Sequence, residues 1–407
     1  GSHAVFANEG DTLQPGDTAS ETYPVIVTGA DGKSTAIVNT GNEYSYVGRL
    51  TVTFDANGDI IPDSITDANS GPIAVNEATV ERLWGDEDAY AAGTRGGEVK
   101  AVTDAIADVI SAKDGNVLGY TNVYLEGRRG EVRTEETNLG NLTADANLFV
   151  ARQVDAGVTV SIKNGGGIRA EIGSYGLGAD APELPPQGNP DAGKPVGGVS
   201  QLDIENSLRF NNALSIVTLT AAELERVFEH AVAATAPGAT PGQFGQFGGV
   251  SFSFDATRQA QRLNADGSVA QEGDRVRNLV ILNEDGGVVD TIMRDGQLVG
   301  DAARAIKVVT LSFLADIPGG DSYPIGLYAD SRVDLLNNAA LADGAAGFAA
   351  KGSEQDALAE YLKATHGTAE TAFDGADTTP AGDERIQNLA ARADTVLGTL
   401  VDGTGQD

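Results

Sequence analysis

Apolar residues recur along this chain with the two spacings that distinguish strands from helices. Alternation of apolar and polar residues predicts a half-buried strand over residues 46–54, and an apolar, largely β-branched run predicts a buried strand over 158–162. Two further strands are expected at 214–219 and 305–313. Apolar residues three and four positions apart predict amphipathic helices at 98–110, after Asn138, and after the capping box of Thr220 and Glu223. A short helix is expected at 75–83, and Ala-rich helices at 354–364 and 384–400.

The order of these elements predicts four parts. Residues 1–62 are β-rich, residues 63–116 form a linker with a hinge helix, residues 117–335 alternate strand and helix signals, and residues 336–407 form a helical tail. Two stretches rich in Pro and Gly, 177–199 and 234–249, are predicted to be surface loops. The fold class expected is therefore α+β, with a layered mixed sheet in the central part.

Composition excludes several classes of function. The 407 residues include no cysteine, which excludes disulfides and thiolate chemistry. The net charge of −32 repels nucleic acid and anionic membranes, and no apolar run is long enough for a membrane span. The acidity favours a secreted or salt-exposed protein over one that stores cations. No signal peptide is visible, and Gly1-Ser2-His3 resembles the remnant of a cloning vector.

The chain alone does not carry a pattern for catalysis. Its three histidines, His3, His230 and His366, are scattered, whereas a two-metal hydrolytic site needs clustered His, Asp and Asn ligands. A Gly-x-Ser-x-Gly nucleophile elbow is also absent from the sequence. We therefore expect this chain to be inactive by itself and to bind no cofactor.

The segment most suggestive of a binding site is Asn164-Gly165-Gly166-Gly167-Ile168-Arg169. It follows the predicted strand 158–162, and its glycines permit positive φ angles and a close approach of the backbone to a ligand. The flanking amide and guanidinium groups suit an anionic group. A purely conformational glycine turn remains the alternative.

Further candidates are two basic and two aromatic residues. Arg133 belongs to the densest basic cluster of an acidic chain, and together with Arg169 it could hold an anion, although surface pairing with neighbouring glutamates is the alternative. Phe210 and Tyr323 lie on polar or Gly-rich turns, where a ring can stack on a planar ligand. The alternative is that the two rings only cover the edge of the hydrophobic core.

Four motifs in this order resemble the C-terminal, substrate-binding domain of the 5′-nucleotidase family. They are Arg133-x-x-Glu-Thr-Asn-Leu-Gly-Asn-Leu-Thr-Ala-Asp145, the segment from Asn164 to Arg169, Leu208-Arg-Phe-Asn-Asn212 with Leu219-Thr-Ala-Ala-Glu-Leu224, and Gly319-Gly-Asp-Ser-Tyr-Pro324. The resemblance covers about residues 120–335. Two positions depart from the family pattern, since Arg209 replaces the usual Pro and Asn211 the usual Gly.

The resemblance implies a nucleoside or nucleotide ligand and a role for each matching residue. Arg133 and Arg169 would hold the phosphate and the ribose, and Asn164 would contact the base. Phe210 and Tyr323 would stack on the two faces of the base, with Asn212 as the polar neighbour of Phe210. Asp330 would hold the ribose hydroxyls, and Gly166 lies in the glycine turn of the site.

Family members carry this domain behind a metallophosphoesterase domain that binds two divalent metals. Residues 4–62 resemble only the closing strands of that domain, so the resemblance implies a missing catalytic partner and a periplasmic or extracellular protein. Two alternatives stay open: a stand-alone, non-catalytic nucleotide-binding protein, and an extracellular structural protein that kept the fold.

Overall fold

A computed structural model describes residues 4–41, 44–85, 87–176, 182–344 and 346–398. Within it the chain forms two compact units, residues 1–107 and residues 108–407. His3 and part of the predicted loop 177–199 lie outside the described residues.

The first unit consists of short strand pairs and two helices. Its small core contains Val5, Tyr46 and Ala74, and Val47 and Phe54 remain more than half exposed. The predicted strand 46–54 is broken into two, because β5 pairs with β8 whereas β6 pairs with β7. The elements are β1 Val5–Phe6, β2 Ala19–Glu21, β3 Val25–Thr28, β4 Ser34–Ile37, β5 Tyr46–Arg49, β6 Thr53–Phe54, β7 Ile60–Ile61, β8 Gly71–Ala74, α1 Glu77–Trp84 and α2 Arg95–Gly115, the last crossing into the second unit.

The predicted amphipathic hinge helix exists as α2, but its apolar face is not buried. Five apolar side chains on it are each about half exposed: Val99, Val102, Ile106, Val109 and Ile110. Among the described residues of α2, Asp114 alone is buried. The spacing of apolar residues therefore predicted the helix correctly and its burial wrongly.

The second unit is a mixed α+β domain built on two five-stranded sheets. Its elements are β9 Val117–Tyr120, α3 Asn138–Val154, β10 Val158–Asn164, β11 Ser174–Tyr175, β12 Glu183–Leu184, β13 Gly198–Ser200, α4 Gln201–Ser207, β14 Leu214–Thr220, α5 Ala221–Val232, β15 Gly245–Gly248, β16 Val250–Phe254, β17 Arg262–Leu263, β18 Val269–Gln271, β19 Val276–Leu282, β20 Val288–Arg294, β21 Gln297–Leu298, β22 Ala305–Leu311, α6 Ser312–Ala315, α7 Ile325–Tyr328, β23 Ser331–Asp334, α8 Glu354–Thr365 and β24 Ile386–Asn388.

The first sheet has the order β15-β10-β22-β14-β23 and the second the order β21-β20-β19-β16-β24. In the first sheet β10 and β22 are parallel neighbours, so both strands end at the same edge. The large core packs buried residues of both sheets with helix α5, whose capping box forms as predicted. A second core joins α3, α4 and α8.

Two sequence predictions for the second unit are wrong. Residues 384–398, the described part of the predicted helix 384–400, do not form a helix. Ile386 is buried in β24, which pairs in parallel with β16, and this tertiary pairing outweighs the helix propensity of an Ala-rich segment. The stretch 234–249 is not only a loop, since its end forms the buried strand β15. Glycine was mistaken there for a loop signal, whereas at Gly245 it makes room for the Phe247 ring, 2.3 Å from where a Cβ would lie.

Candidate functional site

A cavity of about 360 Å³ is lined by Asn164 at the carboxyl end of β10 and by Phe313 in α6, the helix that follows β22. β10 ends at Asn164 and leads into a 3-10 turn at Gly165–Gly167, and β22 leads into α6. Crevices at the carboxyl ends of parallel strands are common ligand sites, because loops from several strands converge there. The cavity is lined by Arg133, Asn164, Gly166, Gly167, Arg169, Phe210, Asn212, Gly242, Phe313 and Asp321.

The glycine turn is required by close packing. The positive φ angles that the sequence had suggested do not occur in it. None of its three glycines has a positive φ. A Cβ on Gly165 would lie 1.8 Å from the carbonyl oxygen of Val132, the residue before Arg133. The N–H groups of Gly165 and Gly166 donate to the carbonyls of Phe244 and Gly242, at 2.6 and 2.9 Å. The turn thus holds the Arg133 segment and the segment before β15 against the end of β10.

Two arginines face the cavity without a carboxylate partner. Arg133 and Arg169 form no ion pair among the described residues. Arg133 is only 9% exposed, its Nε has no hydrogen-bond partner there, and its Nη1 lies 3.5 Å from the carbonyl oxygen of Thr240. Burial lowers the pKa of Arg133, as do the charges of Arg129 and Arg169, with Asp321 acting in the opposite direction. An anion in the cavity would relieve this repulsion.

Two aromatic rings line the same cavity, and one of them was not predicted. Phe210 is 62% exposed, with the guanidinium of Arg169 lying 5.6 Å from its ring centroid. Phe313, at the start of α6, is 43% exposed and packs on Gly320, where a Cβ would lie 2.0 Å from the ring. The apolar run 305–313 predicted a core strand that included Phe313, but β22 ends two residues earlier.

Tyr323, the predicted second plate, is a core residue in this structure. It is 2% exposed, its hydroxyl donates to the carbonyl of Gln243 at 2.6 Å, and its ring meets His230 edge to face. The Nε2 of His230 lies 2.9 Å from the carbonyl oxygen of Asp321 and must carry a proton, since a carbonyl only accepts. Burial lowers the pKa of His230.

Asp330 is also outside the cavity. It is exposed, directly before β23, and its backbone N–H donates to Thr218. Asp321 is instead the acidic residue at the site, where its Oδ2 accepts from Nδ2 of Asn164 at 2.6 Å. Asp321 and Ser322 have φ angles of 50° and 61°, a strained conformation that the contacts of Asp321 with Asn164 and His230 hold in place. Asp321 lies in the motif 319–324, so the sequence contained a signal for this residue, but it was not predicted as a site residue.

The structure therefore brings six of the eight predicted residues together, namely Arg133, Asn164, Gly166, Arg169, Phe210 and Asn212. It places Tyr323 and Asp330 elsewhere and adds Phe313 and Asp321. The ligand-binding role of each residue stays a prediction.

A second cavity, of about 680 Å³, lies between α3, α8 and the loop before β20. Its arginines are already paired, Arg152 with Glu284 at 2.9 Å and Arg385 with Asp145 at 2.8 Å. Its charges are balanced, so the smaller cavity is the better candidate for an anion.

The described residues do not suit a metal centre. Among residues 4–398 as described, no group of three or more His, Cys, Asp or Glu side chains is placed to hold one metal ion. The described helices also include none with the length and apolar composition needed to cross a membrane.

Fold and cavity together define a mixed α+β domain with a polar cleft at the ends of two parallel strands. The model of the 5′-nucleotidase C-terminal domain matches residues 117–325, and the chain belongs to this family.

Named relatives agree with this assignment. The chain is 27% identical over 300 residues to the trifunctional nucleotide phosphoesterase protein YfkN of Bacillus subtilis, covering 74% of this chain and 16% of that protein. It is 29% identical over 308 residues to a human 5′-nucleotidase, covering 74% and 43%. In fold it is similar to a 5′-nucleotidase precursor from Thermus thermophilus, with a TM-score of 0.50, 23% identity, and coverage of 95% and 58%. The chain thus spans less than two thirds of each of these proteins.

Proposed function

We propose that this chain is the substrate-binding part of a 5′-nucleotidase-type phosphohydrolase and that its 360 Å³ cavity binds a nucleoside 5′-phosphate. The observation that carries the proposal is a pair of arginines that form no ion pair within the described part of the chain. Both face one cavity beside two exposed rings, in a chain of net charge −32. Arg133 is only 9% exposed, and a buried guanidinium that forms no ion pair among the described residues favours an anionic ligand in the cavity.

Each part of a nucleotide has a matching group in the cavity. The phosphate would lie against Arg133 and Arg169, whose guanidinium donors suit phosphate oxygens. The base would stack between Phe210 and Phe313, a contact worth about 1–3 kcal/mol per ring. Asp321 can accept from hydroxyl or amino groups.

Asn164 is arranged to read a polar edge of the ligand. Its Nδ2 is held by Asp321, whereas its Oδ1 is buried and has no partner among the described residues. A buried acceptor without a donor costs about 1–3 kcal/mol, which a donor on the base or the ribose would recover.

The whole protein would hydrolyse the phosphate ester with this chain in a positioning role. Two divalent metals on a metallophosphoesterase domain would polarise the ester and supply the attacking water. This chain's own residues would bind and orient the nucleotide and would exclude water from the base. We further propose a periplasmic or extracellular location, which the strong acidity supports.

Calorimetric titration with AMP and with adenosine tests the arginine assignment. Replacing Arg133 or Arg169 by Ala should weaken AMP binding roughly 10-fold to 100-fold, because hydrogen bonds to charged groups contribute about 1.5–3 kcal/mol. Adenosine binding should change much less, apart from any contact of an arginine with the ribose.

The matched control is Arg294→Ala, at the exposed end of β20, which should leave both affinities unchanged. Equal losses for the two ligands would show that the arginines shape the cavity without binding phosphate, and would favour a nucleoside-binding protein.

A further inference from the structure

The segment after the matched domain packs behind the cavity wall, against the loop that carries Phe210 and Asn212. Helix α8 begins at Glu354, and its first turn lies on the loop 208–212, which carries Phe210. The N–H of Glu354 donates to the carbonyl of Asn212 at 2.9 Å, and Gln355 Nε2 donates to the carbonyl of Leu208 at 2.9 Å. The N–H of Gln355 also donates to the side chain of Asn211.

The Glu354 carboxylate joins this loop to the end of β10. One oxygen accepts from both the backbone N–H and Nδ2 of Asn212, each at 2.9 Å. The other oxygen lies 3.3 Å from Nζ of Lys163, and both charged side chains are fully buried. Lys163 immediately precedes Asn164, and Asn212 lines the cavity, so one carboxylate connects two walls of the site.

The start of the loop is anchored by Leu208, which is fully buried, whereas its tip is loosely packed. Phe210 is 62% exposed and so contributes little packing, and Asn211 has a left-handed φ of 44°, which is unfavourable for a residue with a side chain. A buried ion pair is often no more stabilising than an apolar pair of the same size, so stability alone does not account for this one.

We propose that Glu354 is a positioning residue, which fixes the loop 208–212 and thereby aims Phe210 into the cavity. The region beyond residue 335 then supports the loop that carries two of the cavity's lining residues. This inference rests on the proposed function for its effect on ligand binding, but not for its effect on the loop.

Two double variants isolate the contact. Lys163→Met with Glu354→Gln removes both buried charges and keeps an oxygen that can accept from Asn212. Lys163→Met with Glu354→Leu removes the charges and the acceptor. Asp356→Asn, two residues along the same helix, is the control, because Asp356 is buried but accepts from Gly352 and not from the loop.

Amide hydrogen exchange of the segment 206–213 without ligand is the first measurement. Exchange should be at least about tenfold faster in the Leu variant than in the Gln variant, since a donor freed from its acceptor exchanges with water more readily. The Asp356→Asn control should exchange like the parent. Equal exchange in the two double variants would overturn the proposal, whether or not the chain binds nucleotides.

Calorimetry with AMP and with ribose 5-phosphate, which lacks the base, is the second measurement. The Leu variant should bind AMP about tenfold more weakly than the Gln variant, with ribose 5-phosphate bound equally by both. Faster exchange with equal AMP affinity would overturn the role in binding. A parent chain that binds neither ligand would refute the proposed function and leave the exchange result to decide the positioning of the loop.

Discussion

At the scale of single residues, the two exposed rings and the buried tyrosine should respond differently to substitution. Phe210→Ala and Phe313→Ala should each weaken nucleoside binding by about 1–3 kcal/mol with little change in stability, because both rings are more than two fifths exposed. Tyr323→Ala should lower the free energy of unfolding by about 3–5 kcal/mol, since it empties a core site and removes the hydrogen bond to Gln243.

Urea denaturation and calorimetry on the three variants separate these effects. Leu327→Ala serves as the control, as an exposed apolar residue outside the cavity. If Tyr323→Ala folds with parental stability and loses nucleoside affinity, Tyr323 is a plate after all and the ligand-bound loop differs from the one described.

The sequence predicted which residues lie together where they belong to continuous motifs. Arg133, Asn164 and Arg169 lie beside a glycine turn that demands close packing, so their chemistry and their neighbourhood were both visible in the sequence. Which of Phe313 and Tyr323 faces the cavity was not visible in the sequence, because both rings flank the same Gly-rich turn. Which one is buried depends on tertiary contacts with Gln243 and His230, and these are distant in sequence.

At the scale of elements, the segment before β24 is fastened to the segment before α3 by carboxylates. Asp377 accepts from the N–H of Asn138 at 2.7 Å, and Asp383 accepts from the N–H of Glu136 at 3.3 Å. Glu136 in turn accepts from the N–H groups of Arg385 and Ile386. A sequence-based helix prediction at 384–400 could not foresee this, since its partners lie about 250 residues earlier.

This fastening makes stability depend on pH. Burial, reinforced by nearby carboxylates, raises the pKa of Asp377 and of Asp383 to about 7 each. The folded state therefore holds protons that the unfolded state releases above about pH 4, and stability is lost as pH rises from about 4 to about 7. The free energy of unfolding should be higher at pH 5 than at pH 8, by on the order of 2 kcal/mol.

Urea titrations at the two pH values measure the difference. Asp383→Asn should reduce it, because the amide keeps an acceptor for Glu136 but has no proton to lose. Asp155→Asn is the control: its ion pair with Lys307 lowers the pKa of Asp155, so its contribution is lost only at more acidic pH. Stability that rises from pH 5 to pH 8 would contradict this account of the carboxylates.

At the scale of the whole molecule, we expect binding without turnover. The described residues offer no cluster for a metal ion, and His230 is engaged by the carbonyl of Asp321. AMP and an aryl phosphate should stay intact on incubation with this chain, with or without added divalent metal. Phosphate release that persists through repurification and stops with a chelator would show that the chain is catalytic.

The position of Arg133 and Arg169 inside the cavity also affects the rate at which an anionic ligand binds. Beyond the Debye length, about 8 Å in physiological salt, an approaching nucleotide meets the field of a chain with net charge −32, and only inside the cavity does it meet Arg133 and Arg169. Screening weakens the distant repulsion first, so added salt should raise the association rate constant for AMP and leave that for adenosine nearly constant. Stopped-flow measurements over a range of ionic strength would show an anion captured faster as the solution becomes saltier.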